Sequence, residues 1–306
     1  MGRAVQFDSY GDIDVLHVAD VPVPVPADGE VVVEVRAAGI NPGEAAIRQG
    51  LFDAMTPGTF PSGQGSDLAG LVRAVGTGVV GFSVGDKVLG WSWRRSSQAE
   101  YVAVPAEQLI PKPTGLSWEE AGSLYVVGVT AYAAVRAVDP REGETVVVSA
   151  AAGGVGTLVV QLLKLRGAAV VGIASAANHA WLTAHGVVPV AYGEGLRSRV
   201  QAASGGRVDA FIDLYGPDYV RLAVDLGVPP DRIETIISFD AAKEYGTKAD
   251  GSAEATSTGV LAEMAELLVS RKLELPIAEI FPLDKVQEAY LELERRHTRG
   301  KIVLVP

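Results

Sequence analysis

The sequence predicts a two-part α/β protein: a β-rich N-terminal part made of short strands, followed by a doubly wound parallel sheet. Three observations predict it. From Gly143 onward, β-branched runs alternate with segments of helical period, as a parallel sheet requires. Residues 1–115 instead hold short β-branched runs separated by glycine turns, a spacing that suggests a small barrel. The chain's 306 residues exceed a typical single domain, and its 48% apolar composition can fill two cores.

In chain order, residues 4–7, 31–35, 71–75 and 84–88 read as strands, with turns at Gly76, Gly78, Gly81 and Gly85. Pro22, Pro24 and Pro26 alternate with valines, which disfavours a central strand and suggests an extended edge or linker. In the stretch AAGINPGEAAIRQGLF, residues 37–52, Asn41 and Pro42 mark a turn before a short helix. Ser117 and Glu120 stand in capping-box spacing and open a helical region to residue 138, in which Gly122 and Gly128 argue against one unbroken helix. Strands follow at 145–148, 170–173, 187–191, 209–213 and 233–238, with helices at 158–165, ending at 182–185, and at 261–269; a strand at 301–305 closes the chain. Residues 239–247, FDAAKEYGT, read as a loop.

The turn between the first two strands of the parallel part carries the strongest chemical signal. It reads AAAGGVG, with Ala151, Gly153 and Gly156 at the three positions of a G-x-G-x-x-G pattern. Strand, glycine turn, helix and strand within about thirty residues are the context that makes such a pattern a dinucleotide site. Small residues let the backbone approach a pyrophosphate, and the helix N-terminus offers unbonded N–H groups with the positive end of the dipole. Ala152, Gly153, Gly154, Val155 and Gly156 are therefore the expected phosphate contacts.

Composition excludes several other functions. Cysteine is absent, which removes disulfides, thiolate nucleophiles and cysteine metal ligands. The four histidines, His17, His179, His185 and His297, have no metal-ligand spacing, so no metal is expected. A net charge of −11 argues against nucleic acid as a partner. No targeting signal or membrane span is evident: Asp8, Asp12 and Asp14 interrupt the N-terminus, and the longest uncharged stretch is the strand, turn and helix already described. A soluble, cytoplasmic protein is the expectation.

With these residues in hand, the sequence resembles the medium-chain dehydrogenase/reductase superfamily, in its zinc-independent quinone oxidoreductase (ζ-crystallin-like) branch. Four stretches carry the resemblance, in the family's order: AAGINPGE at 37–44, GSDLAGLVRAVGTGVVGFSVGDKVLG at 65–90, AAAGGVG at 150–156 and RGKIVL at 299–304. The resemblance implies a GroES-like β-barrel catalytic domain, residues 1–120 completed by 265–306, and an inserted Rossmann domain, residues 121–264, with the active site in the cleft. Zinc members carry a cysteine in the stretch matching residues 39–44 and a histidine before the acidic residue matching Asp67; Asn41 and Ser66 stand there instead. Hydride transfer from NADPH to an already electrophilic carbon, in a quinone or an α,β-unsaturated carbonyl, remains. That chemistry needs positioning and a donor for the developing oxyanion.

The same resemblance places Asn41 and Thr130 beside the nicotinamide. Some relatives place tyrosines after the asparagine, where this chain has Ala46 and Phe52; Tyr125 is the alternative hydroxyl, and Phe52, Tyr125, Phe239 and Tyr245 are the expected substrate wall. An NAD site wants an acidic residue at the end of its second strand to hold the ribose 2′-hydroxyl. Ser175 stands there, and no carboxylate occurs from residue 145 to 193, which favours NADPH, with Ser175, Asn178 and Tyr192 matching the phosphate-side contacts. A dedicated enoyl or ketone reductase and a cofactor-binding protein without turnover are the alternatives. The family further implies a homodimer through the strand at 233–238, taken as an open sheet edge.

Overall fold

The valine run at 31–35 forms the middle of the ten-residue strand Glu30–Gly39, around which the first of two units is built. The computed structural model describes residues 1–53 and 57–306. Its first unit comprises 1–126, 257–269 and 277–306, and its second 127–256 and 270–276. The division falls inside a helix at 126/127, six residues later than the expected 120/121, and the first unit also takes in 257–264.

In chain order the first unit supplies β1 (Gly2–Phe7), β2 (His17–Val21), β3 (Glu30–Gly39), α1 (Pro42–Arg48), β4 (Ser62–Gly63), β5 (Asp67–Val75), β6 (Lys87–Trp91), β7 (Tyr101–Pro105), β8 (Leu109–Pro111), α2 (Trp118–Ala121) and the start of α3 (Tyr125–Val138). The second supplies β9 (Thr145–Val148), α4 (Gly154–Leu165), β10 (Ala169–Ile173), α5 (His179–Ala184), β11 (Val188–Val190), α6 (Leu196–Ala203), β12 (Ala210–Asp213), α7 (Pro217–Asp225), β13 (Ile233–Thr235) and α8 (Phe239–Tyr245). The chain returns to the first unit with α9 (Thr258–Val269), β14 (Ile277–Pro282), α10 (Val286–Glu294) and β15 (Lys301–Val305).

On one side β3 pairs with β5; on the other its first half pairs with β7 and its last residues with β15. One long strand thus joins the N-terminal sheet to the chain's end. Val31, Val33, Leu68, Val72 and Val88 fill the core beneath it, all fully buried. The path runs β14-β15-β3-β5-β6-β8, with a separate sheet β2-β1-β4. Strands β2, β4, β7, β8 and β14 are not among those expected from the sequence. The strand expected at 84–88 begins only at Lys87: Val84 is exposed in a turn closed by the Ser83 amide on Asp86 Oδ2 at 2.7 Å.

The helical region at 117–138 divides as its first glycine suggests. Ser117 caps α2 with reciprocal bonds to Glu120, and the chain breaks at Gly122 before α3 resumes. A Cβ on Gly122 would stand 2.3 Å from the Ala37 carbonyl oxygen, so only glycine permits this approach to β3. Gly128 lies inside α3 without breaking it.

The second unit is a five-stranded sheet, order β11-β10-β9-β12-β13, with every pair parallel. Val146, Val147 and Val148 are fully buried, as strands covered on both faces require. The order reverses between β9 and β12, where open α/β sheets bind ligands beyond the strands' carboxyl ends. Two expectations are corrected here. Residues 239–245 form α8, not a loop. Strand β13 stops at Thr235, and Lys248 occupies its outer backbone groups, accepting from the Thr235 amide at 3.2 Å and donating to the Ile233 carbonyl at 3.0 Å. The edge is therefore not open along 233–238. No described helix is long and apolar enough to cross a membrane.

Candidate functional site

In the first unit a buried polar cluster is assembled around Asn41. Pro42 begins α1, so Asn41 is its N-cap, and Glu44 three residues on folds back to accept from the Asn41 amide at 3.1 Å. Asn41 Nδ2 donates to Glu44 Oε1 at 3.1 Å and to Asp67 Oδ2 at 3.0 Å, while Lys301 Nζ donates to Asn41 Oδ1 at 2.5 Å. An ammonium cannot accept and ionised carboxylates cannot donate, so this orientation of the carboxamide is the one the cluster permits. Both amide hydrogens are thereby consumed. Within this cluster Asn41 holds the entrance of α1.

Lys301 also donates to the Ile40 carbonyl at 2.9 Å and to Asp67 Oδ2 at 3.2 Å. Glu44 accepts from the Ser66 amide at 2.9 Å, Gln98 Nε2 at 3.1 Å and the Tyr290 hydroxyl at 2.8 Å as well. Burial pushes the Glu44 carboxyl up from its ordinary value and the nearby Asp67 adds to that, while the Asn41 and Tyr290 donors and the Lys301 charge oppose. Burial likewise pushes the Tyr290 hydroxyl well up, with Glu44 second. Asp67 Oδ1 accepts from the Val126 amide at 2.7 Å, tying the first turn of α3 to the cluster.

The residue before Val126 is Tyr125, whose ring stacks on Trp91 with centroids 4.5 Å apart and planes 10° from parallel. Trp91 pairs with Asp67 across β5 and β6, so the aromatic pair and the polar cluster are contiguous. Phe52 is half-buried in the turn after α1.

In the second unit the predicted phosphate contacts lie together on the β9–α4 turn. Gly153 is the N-cap of α4 and brings no side chain to the first amides of the helix, Gly154, Val155 and Gly156. The turn is held by Ala150, which sits at φ +45° and accepts from the Gly153 amide at 2.9 Å. A Cβ on Gly156 would meet that same carbonyl oxygen at 2.1 Å, so the third glycine is obligatory for the approach of helix to strand. A non-glycine residue in this region of φ is uncommon and is found at ligand turns. An uncapped, positive helix start at a strand's carboxyl end fits a dinucleotide pyrophosphate.

Ser175 follows β10, and its hydroxyl accepts from Asn178 Nδ2 at 3.1 Å; Tyr192 follows β11 and is half-exposed. Thr130 is buried in α3. Phe239 is exposed at the first position of α8. Tyr245 is half-buried against the second unit's core, and its hydroxyl bonds Arg221.

Several residues went unread in the sequence. Glu44 was legible, since Asn41-Pro-Gly-Glu44 is a capping-box pattern. Lys301, Gln98 and Tyr290 carry no local signal. Asp213, fully buried at the end of β12, accepts from Ser149 Oγ, Thr235 Oγ1, Ser238 Oγ and the amides of Tyr215 and Gly216, and so ties together the ends of β9, β12 and β13. A carboxylate closing an apolar strand was the available clue.

Fold and site together define a dinucleotide-binding α/β protein carrying a GroES-like unit. Two family models match, the alcohol dehydrogenase GroES-like domain at residues 27–114 and zinc-binding dehydrogenase at 182–304. The quinone oxidoreductase of Pseudomonas aeruginosa is 29% identical, with each chain covered in full. The solved quinone oxidoreductase of Coxiella burnetii is 32% identical at a TM-score of 0.90, covering 100% of this chain and 99% of that one. The Escherichia coli quinone oxidoreductase solved with NADPH is 25% identical, TM-score 0.88, covering 99% and 100%. The chain belongs to the medium-chain dehydrogenase/reductase superfamily, in its quinone oxidoreductase branch. It is a quinone oxidoreductase-like oxidoreductase.

The second model's description implies zinc, and the residues here do not fit it. The chain has no cysteine, the Asp67 carboxylate is already paired with the Lys301 ammonium, and among the described residues no three His, Asp or Glu side chains converge.

Proposed function

We propose that this protein transfers a hydride from NADPH to a quinone or an α,β-unsaturated carbonyl, without a metal. What carries the reading is the β9–α4 turn, with its uncapped helix amides, beside a second strand, β10, that is followed by Ser175 instead of a carboxylate. The E. coli relative solved with NADPH supports the same cofactor. NADPH, when bound, supplies the hydride; substrate gains that hydride and a proton and leaves as a hydroquinone or saturated carbonyl.

The chain's residues then divide the work. The amides of Gly154, Val155 and Gly156 hold the pyrophosphate, and Ser175, Asn178 and Tyr192 border the ribose phosphate. Asn41, locked by Lys301, Glu44 and Asp67, fixes the wall beside the nicotinamide, with Thr130 as its second neighbour. Tyr125 orients the substrate, and water supplies the proton.

Absorbance at the reduced-nicotinamide band, followed with a panel of quinones, enones and enals and with NADPH against NADH, tests the reading. Turnover with NADPH preferred is expected. Equal use of NADH removes the cofactor assignment; no turnover with any acceptor leaves a cofactor-binding protein. A homodimer is part of the proposal, and light scattering showing a monomer at micromolar concentration rejects it.

A further inference from the structure

Tryptophan is scarce in this chain, four in 306 residues, yet two stand in the sequence Trp91-Ser92-Trp93. Trp91 is 4% exposed and Tyr125 3%, but Trp93 is 55% exposed. The exposed indole is nonetheless held. It meets both buried rings edge to face, at 6.4 Å and 81° from Trp91 and at 6.2 Å and 89° from Tyr125. Its amide donates to Gln108 Oε1 at 3.3 Å, and the turn behind it is closed by Arg95 N on the Ser92 carbonyl at 3.0 Å and by Ser92 Oγ with Ser96 Oγ at 3.1 Å.

An indole that leaves half its surface in water gives up hydrophobic burial, and two edge contacts still fix its plane. The arrangement is contiguous with the candidate centre: Tyr125 precedes the amide that binds Asp67, and Asp67 binds Asn41. We propose that Trp93 is a specificity residue, a pre-oriented stacking platform that selects planar fused-ring quinones over acyclic enones. This rests on the functional reading above and narrows its substrate class. A flat, electron-poor ring gains from offset stacking on the indole, whereas a short acyclic enone has no face of comparable size. Pre-orientation matters because no rotamer freedom is lost when the ring arrives.

The test compares 1,4-naphthoquinone with but-3-en-2-one as acceptors for wild type, Trp93→Ala and Trp93→Phe. In Trp93→Ala the ratio of kcat/KM for the quinone to that for the enone falls roughly three- to tenfold, and Trp93→Phe restores most of it. A merely structural role moves both acceptors together, and an unchanged ratio overturns the inference. Equilibrium dialysis of naphthoquinone against the same three proteins, without nicotinamide, keeps the two readings apart. Should the wild type turn over neither acceptor, the functional reading fails, and the inference stands or falls on weaker quinone binding by Trp93→Ala alone.

Discussion

Lys301 reaches Asn41 from the far end of the chain: its ammonium donates to Asn41 Oδ1 at 2.5 Å with both residues buried. The same ammonium is the counter-charge of Asp67, 3% and 0% exposed at the side chains. Replacing it by an apolar residue leaves a buried carboxylate without its cation. Lys301→Met is expected to lose about 3–5 kcal/mol in urea denaturation, the usual cost of breaking a buried pair from one side. A loss below about 1 kcal/mol would show that the cluster is not held by its charge.

Gly156→Val is expected to abolish NADPH binding and to lower Tm, because even its Cβ would lie 2.1 Å from the Ala150 carbonyl oxygen and 2.8 Å from the Ala151 carbonyl carbon. Gly153→Ala is the gentler companion. Its Cβ meets the same oxygen at 3.3 Å, so the fold should survive while NADPH affinity falls by about tenfold as the phosphate approach narrows. Calorimetric titration with a melting curve reads both. Native affinity in a folded Gly156→Val places the nucleotide elsewhere.

Glu234 predicts a pH dependence of stability. It is fully buried on β13, and burial first, then the Asp250 carboxylate, pushes its carboxyl up to about 9 from an ordinary 4.5. Below pH 4.5 folded and unfolded chains both hold the proton, and the group contributes nothing. Between there and about 9 the unfolded chain has lost a proton that the folded one keeps, so stability falls as pH rises, by at most about 1.4 kcal/mol per pH unit. Above that the loss levels off. Tm of Glu234→Gln should therefore exceed that of the wild type by a margin that widens from pH 5 to pH 9; a constant margin refutes the assignment.

Tyr125→Phe should lower kcat by roughly tenfold or less, below the range of about 10² to 10⁴ for general acid catalysis. The Phe ring preserves the stack on Trp91. Asn41→Ala should cost more activity, since it removes the acceptor of Lys301 and the donor to both Glu44 and Asp67. A loss above about a thousandfold in Tyr125→Phe, with NADPH affinity intact, would make Tyr125 the acid.

What the sequence determined by itself is local. The β9–α4 turn and its glycines, the Ser117 cap, the break at Gly122 and the absence of an acid at Ser175 were all legible, because each is set by backbone conformation or by neighbours within a few residues. The order of the four family stretches extended that to the two-part fold. Residues 239–245 were misread because Gly246 and the mixed polarity of FDAAKEY look like a loop until Ala241 and Ala242 find a core to bury against. The site's electrostatics lay wholly in the tertiary structure. Glu44, Asp67, Gln98, Tyr290 and Lys301 meet from five segments, and Trp93 acquires a fixed plane only when Trp91 and Tyr125 stack beneath it. A charge's partner and a ring's orientation are properties of packing across hundreds of residues, and no period or spacing along the chain encodes them.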